Sequence, residues 1–66
     1  MNDFTKQELL VLSLLAKGLK TSEIADELHL SNVSVKVCKG IIYRKLGVKN
    51  RIQAVVKAIT QNIINV

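Results

Sequence analysis

The stretch TSEIADELHLSNVSVKVCKGIIYRKLG, residues 21–47, decides the fold. Its first part is a short helical segment, residues 22–28, with Thr21 or Ser22 placed to cap it. Ile24, Ala25 and Leu28 fall on one side of this helix, with acids between them. Ala25 is small enough to let another helix cross closely. After His29 and Leu30, Ser31 is a good cap for a longer helix over 32–46, which Gly47 stops. A turn of about three residues holds two helices at a steep angle, the helix-turn-helix arrangement.

The flanks extend the same pattern. Thr5 with Glu8 forms a capping box, Phe4 can staple the entry, and a first helix runs over 6–17 until Gly18 ends it. Leu9, Val11, Leu12, Leu15 and Ala16 share one arc of it, while Lys6, Ser13 and Lys17 face away. Leu10 falls near the polar side, either as a stray exposed leucine or as a contact with another chain. Downstream, Asn50 caps a fourth helix from 51 to about 63. Ile52, Val55, Val56, Ile59 and Ile63 make one stripe that a three-helix core can absorb. Ala54 and Ala58 make an adjacent, flat stripe that lets a symmetry mate approach; one-sided core packing is the other reading. Ile64 and Val66 add apolar surface at the end. With no Pro and Gly only at 18, 40 and 47, the expectation is one all-α domain of four helices over residues 1–66.

Composition excludes several classes. At 48% hydrophobic and 23% charged, the chain has ample apolar side chain to offset the entropy of ordering. Sixty-six residues bury only about 60% of their unfolded surface, so a partner or an idealised core is needed. One Cys and one His cannot build a disulfide framework or a tetrahedral zinc site, and no cofactor is expected. Glu23, Asp26 and Glu27 read as a solvated face rather than a metal site. Cys38 reads as a small core residue, and His29 as a turn residue or a phosphate contact. No catalytic constellation or Gly-rich phosphate loop is present, so no enzyme is expected. The absence of a long apolar run and of a basic, apolar leader at Met1-Asn2-Asp3 points to a cytoplasmic protein with no membrane partner.

The charge is unevenly placed. Residues 1–33 set Lys6, Lys17 and Lys20 against Asp3, Glu8, Glu23, Asp26 and Glu27, three bases to five acids, a net −2. Residues 34–66 hold Lys36, Lys39, Arg44, Lys45, Lys49, Arg51 and Lys57 and no acid, a net +7. That half suits a polyanion. On the third helix, Val35, Cys38, Ile42 and Leu46 form a narrow inward stripe. Val33, Lys36, Val37, Gly40 and Arg44 form the opposite arc, with no acid among them. Bases, small residues and aliphatics suit phosphates, base edges and thymine methyls in a major groove; a solvated basic face is the alternative.

The set Thr5, Glu8, Val11-Leu12, Ala16, Gly18, Glu23-Ile24-Ala25, Leu28, Ser31, Val35-Lys36, Ile42, Lys45-Leu46, Val48, Asn50-Arg51 and Gln53-Ala54 resembles the LuxR-type (GerE-like) helix-turn-helix domain of bacterial transcription regulators. The match runs from residue 4 to about 58. The resemblance implies a four-helix fold of the winged-helix-like superfamily without a wing, acting as a sequence-specific regulator on double-stranded DNA in the nucleoid. It places the third helix in the major groove and pairs the fourth with its copy in a homodimer, through Ala54, Val55, Ala58, Ile59 and Asn62. It sets Lys36 and Val37, with Val33 and Gly40, toward the bases. It sets Thr21, Ser22, Ser31, Ser34, Lys39, Arg44 and Lys45 at phosphates, with RNA polymerase as a further partner.

Three positions depart from the family pattern. Gly40 stands where many members place a longer polar or basic side chain, Lys39 where an aliphatic is usual, and Cys38 where His is common. Family members carry this domain behind a receiver or ligand-binding domain, so the chain is expected to be either a stand-alone regulator or the output domain of a larger one. The rival from another class is a module that binds a regulator or a polymerase subunit through Leu10, Val33, Val37 and Ile41. RNA binding is disfavoured because Phe4 and Tyr43 are the only aromatics.

Overall fold

Each described helix begins on a residue in extended conformation and is followed, one or two residues past its end, by one in the left-handed region, and those boundaries set the architecture. The computed structural model describes residues 3–64; the expectation for Val66 lies outside them. Helix α1 spans Lys6–Ala16, α2 Thr21–Leu28, α3 Asn32–Leu46 and α4 Arg51–Thr60. No strand occurs among the described residues.

At the start of α1, the Thr5 hydroxyl accepts from the Glu8 N–H at 3.1 Å, and the Glu8 carboxylate accepts from the Thr5 N–H at 3.0 Å. This is the expected capping box. Ser31 and Asn50 cap α3 and α4 as expected, accepting from Ser34 N–H at 3.0 Å and Gln53 N–H at 2.9 Å. Helix α2 differs. Its cap is Lys20, and Thr21 and Ser22 belong to the first turn. The Glu23 carboxylate reaches back to the Lys20 N–H at 2.7 Å, satisfying that donor without a cap side chain.

The C-termini share one geometry. In α1, Leu19 N–H donates to Leu14 C=O across Gly18, at φ +90. The same six-to-one bond runs from Leu30 to Ala25 across His29, from Val48 to Tyr43 across Gly47, and from Ile63 to Ala58 across Asn62. His29 and Asn62 both sit at φ 58. The left-handed residue thus closes each helix on its own carbonyls. Two expected boundaries move as a result. Helix α1 stops at Ala16, one residue short of Lys17, and α4 stops at Thr60 rather than near Ile63, because Asn62 turns the chain.

Helix α3 contacts all three others, whereas α2 and α4 contact α1 and α3 but not each other. The core is Val11, Leu12 and Leu15 from α1, Ile24 and Ala25 from α2, Val35, Cys38, Ile42 and Leu46 from α3, Ala54 and Ala58 from α4, and Ile64. The inward stripe of α3 is the expected one. Leu9 and Ala16 are only half-buried, and Leu10 is exposed.

The face of α4 is the reverse of the expected one. Ala54 and Ala58 are fully buried, while Ile52, Val56 and Ile59 are exposed and Val55 and Ile63 half-buried. Small side chains let the α4 backbone lie close against α1 and α3; the larger aliphatics do not fit there and turn outward.

Candidate nucleic-acid interface

The turn His29-Leu30-Ser31 sets α3 across α2, with Ala25 buried at the crossing. His29 is left-handed and exposed in that turn. Once α3 has committed Val35, Cys38, Ile42 and Leu46 to the core, the helical period leaves Val33, Lys36, Val37, Gly40 and Arg44 outward. All five are exposed, Val33 at 69% and Val37 at 57%. Neither the Lys36 nor the Arg44 side chain makes a hydrogen bond or ion pair among the described residues, and α3 contains no acid. The base-contact set expected from the sequence is thereby gathered on one open face.

The residues expected at phosphates divide. Ser22, Ser31, Ser34 and Arg44 are exposed around this face, and the Ser31 hydroxyl donates to the Ser34 hydroxyl at 3.0 Å. Lys39 is half-buried with its ammonium 3.3 Å from the Thr21 hydroxyl, which links α3 to the first turn of α2. Lys45 is differently engaged. Its ammonium lies 2.8 Å from the Glu8 carboxylate, donates to the Asp3 carbonyl at 2.8 Å, and stands 5.5 Å from the centre of the Phe4 ring. A phosphate contact there competes with two acceptors and an aromatic face already in place.

The Lys45 hydrogen bond, then the Thr5 N–H, hold the Glu8 carboxyl below its ordinary range, against burial, which acts the other way. Arg51 is a structural base that sequence reasoning missed. Its guanidinium donates to the Leu15 carbonyl from Nη2 at 2.7 Å and Nε at 3.2 Å, satisfying the open C-terminal end of α1. Two of the seven bases in the second half therefore tie down the two ends of α1. No local signal marks them, because both partners are more than thirty residues away.

Cys38 has its thiol pushed up, first by burial and then by the nearby Glu8 charge, which keeps it protonated and suits a core residue. No group of three or more potential metal-ligating side chains occurs among the described residues, and no helix is long and apolar enough to cross a membrane.

The α4 residues expected at a dimer interface also divide. Ala54 and Ala58 are fully inside the protomer and cannot touch a second copy, which corrects that expectation; Asn62 is exposed but is the residue that ends the helix. Val55 is half-buried and Ile59 is 42% exposed. The uncovered stripe is Ile52, Val56 and Ile59, at helical spacings of four and three.

A short helix, a three-residue turn and a longer helix whose outer face is basic and aliphatic define a DNA-binding helix-turn-helix domain of transcription regulators. The sequence profile of the bacterial regulatory proteins of the luxR family matches residues 2–58, and the chain belongs to that family. It is 40% identical over 62 residues to the transcriptional regulatory protein YdfI of Bacillus subtilis, covering 94% of this chain and 29% of that one. It is 40% identical over 60 residues to the response regulator protein VraR of Staphylococcus aureus, covering 91% and 29%. The crystal structure of the response regulator ChrA, of a heme-sensing two-component system, superposes with a TM-score of 0.92 at 34% identity, covering 97% of this chain and 32% of that one. The chain thus spans about three tenths of the length of these relatives.

Proposed function

We propose that this domain binds double-stranded DNA sequence-specifically, with α3 in the major groove, and acts as a homodimer on two half-sites about one helical turn apart. The observation that carries this reading is the outer face of α3, where two bases without a side-chain partner among the described residues flank exposed valines and a glycine on a helix that contains no acid. Lys36 and Val37 read base edges, with Val33 and Gly40 beside them. Arg44, Ser22, Ser31 and Ser34 set the register on phosphates, supported by Thr21 and Lys39. Lys45 is left out of the phosphate set because Glu8 and Asp3 hold it. The dimer contact is the exposed stripe Ile52, Val56 and Ile59, with Val55 beside it. The domain is the output module of a regulator, working in the cytoplasm on the nucleoid, with RNA polymerase as a further partner.

Binding titrations on an operator selected from random duplexes, run over a range of salt, test this. With about three phosphates neutralised per subunit, log K falls against log salt with a slope near −5 for the dimer. Lys36→Ala flattens discrimination between operator and random DNA, while Arg44→Ala weakens both alike. A slope near zero, or equal losses from both variants, overturns the reading.

A second reading has its own observation. Val33, Ser34, Val37 and Ile41 line an open cleft of about 310 Å³ against Thr5 and Gln7 of the α1 entry, a shape that also fits an apolar protein segment. Capture of a protein ligand through this cleft with no enrichment of DNA at physiological salt would place that reading first.

A further inference from the structure

Lys45, near the end of α3, is held by groups that all come from the start of α1. Its ammonium lies 2.8 Å from the Glu8 carboxylate, donates at 2.8 Å to the Asp3 carbonyl and stands over the Phe4 ring. Of these three, only the Glu8 acceptor carries a charge. Helical spacing sets Lys45 four residues beyond Ile41 and eleven beyond Ser34, so the three share one flank of α3. Glu8 borders that flank as well, because it lines the cleft bounded by Val33, Ser34 and Val37 of the outer face. The Lys45 side chain keeps 31% of its surface exposed, so the ammonium is not sealed from a ligand. The Glu8 carboxyl is held below its ordinary range, first by the hydrogen bond from Lys45, and is therefore ionised near neutral pH.

To an ammonium, a carboxylate presents what a phosphate presents, an anionic oxygen at hydrogen-bond distance. We propose that Glu8 is an autoinhibitory residue: its carboxylate occupies Lys45 in place of a DNA phosphate and holds the affinity for duplex below what the bases of the domain allow. With Glu8 neutralised, only the Asp3 carbonyl and the Phe4 ring hold the ammonium, and neither carries the charge with which a phosphate competes. Lys45 then gains one phosphate contact per subunit. The inference rests on the DNA-binding reading above and adds an internal brake on that binding.

The test uses the whole 66-residue chain and a duplex that the wild type selects from random DNA, with binding titrated over a range of salt. Lys45→Ala leaves the slope of log K against log salt at the wild-type value of about −5 for the dimer, since Lys45 neutralises no phosphate there. Glu8→Gln steepens the slope to about −7 and raises affinity near physiological salt about fivefold per subunit, the counterion-release factor of one phosphate. The double variant Glu8→Gln, Lys45→Ala returns to the wild-type slope. Should Glu8→Gln fail to fold by circular dichroism, Glu8→Asp is read instead, since it draws the carboxylate one methylene back from Lys45. An unchanged slope in the Glu8 variant overturns this inference and leaves DNA binding standing. A steepening that survives in the double variant does the same, because it assigns the gain to the loss of an acid near the duplex. A shallower slope in Lys45→Ala alone overturns it too, by showing Lys45 already on a phosphate. Failure to select any duplex overturns both readings.

Discussion

Helices α3 and α4 are both amphipathic, both rest on the same core, and carry their large aliphatics in opposite ways. In α3 Val35, Ile42 and Leu46 are buried and the outer face holds Lys36 and Arg44. In α4 alanines are buried, and Ile52 and Val56 are 75% and 59% exposed. The difference is what each outer surface meets. Charged side chains mark the face of α3 that stays wet or meets a polyanion. On α4 the outer face carries little charge, and its uncovered apolar stripe is what a second copy would cover.

Overfilling the buried side of α4 breaks the comparison most sharply. Ala58→Leu forces three more carbons into fully packed space and costs about 3 kcal/mol. In a domain this small that lowers Tm by more than about 10 °C, read by thermal unfolding followed by circular dichroism. A Leu accepted without loss would mean that α4 does not lie close against its neighbours.

The next effect concerns the tie between α1 and α3. Glu8→Gln leaves Lys45 without its carboxylate and costs about 1–2 kcal/mol near neutral pH, measured by urea titration. The native Glu8 carboxyl titrates below its unfolded value near 4.3, so the unfolded chain binds the proton more readily. The stabilisation is therefore complete above that unfolded value and is lost as pH falls through the lower native one. Glu8→Gln should remove this acid limb from the stability profile; an unchanged limb would assign it to other carboxylates.

On the outer face of α3, Gly40→Ala adds a methyl in open space within a helix and raises stability by about 1 kcal/mol in the same titration. The smallest effect on the fold is expected on the outer face of α4. Ile52→Ser leaves protomer stability within about 0.5 kcal/mol, yet shifts the protein toward monomer in analytical ultracentrifugation. A large loss of protomer stability instead would show that Ile52 packs inside its own chain.

Much of this was legible in local chemistry. The capping box at Thr5 and Glu8, the caps at Ser31 and Asn50, and the stops at Gly18 and Gly47 are interactions between near neighbours, and the structure keeps them. Both faces of α3 were legible because its charges and core aliphatics segregate at the helical period. His29 and Asn62 gave weaker signals, since their left-handed conformation is one that glycine adopts more readily. Local pattern also placed the cap of α2 one or two residues late, because Glu23 alone satisfies the Lys20 N–H.

The sequence by itself determined four helices, the turn that crosses α2 over α3, and the basic, acid-free outer face of α3, all set by interactions within a turn or two of helix. Tertiary structure alone decided which face of α4 is buried, and which bases remain free for a ligand. Alanine and isoleucine are both apolar, and only the distance between packed helices selects between them. Lys45 and Arg51 look like any other base along the chain until folding brings Glu8 and the Leu15 carbonyl to them.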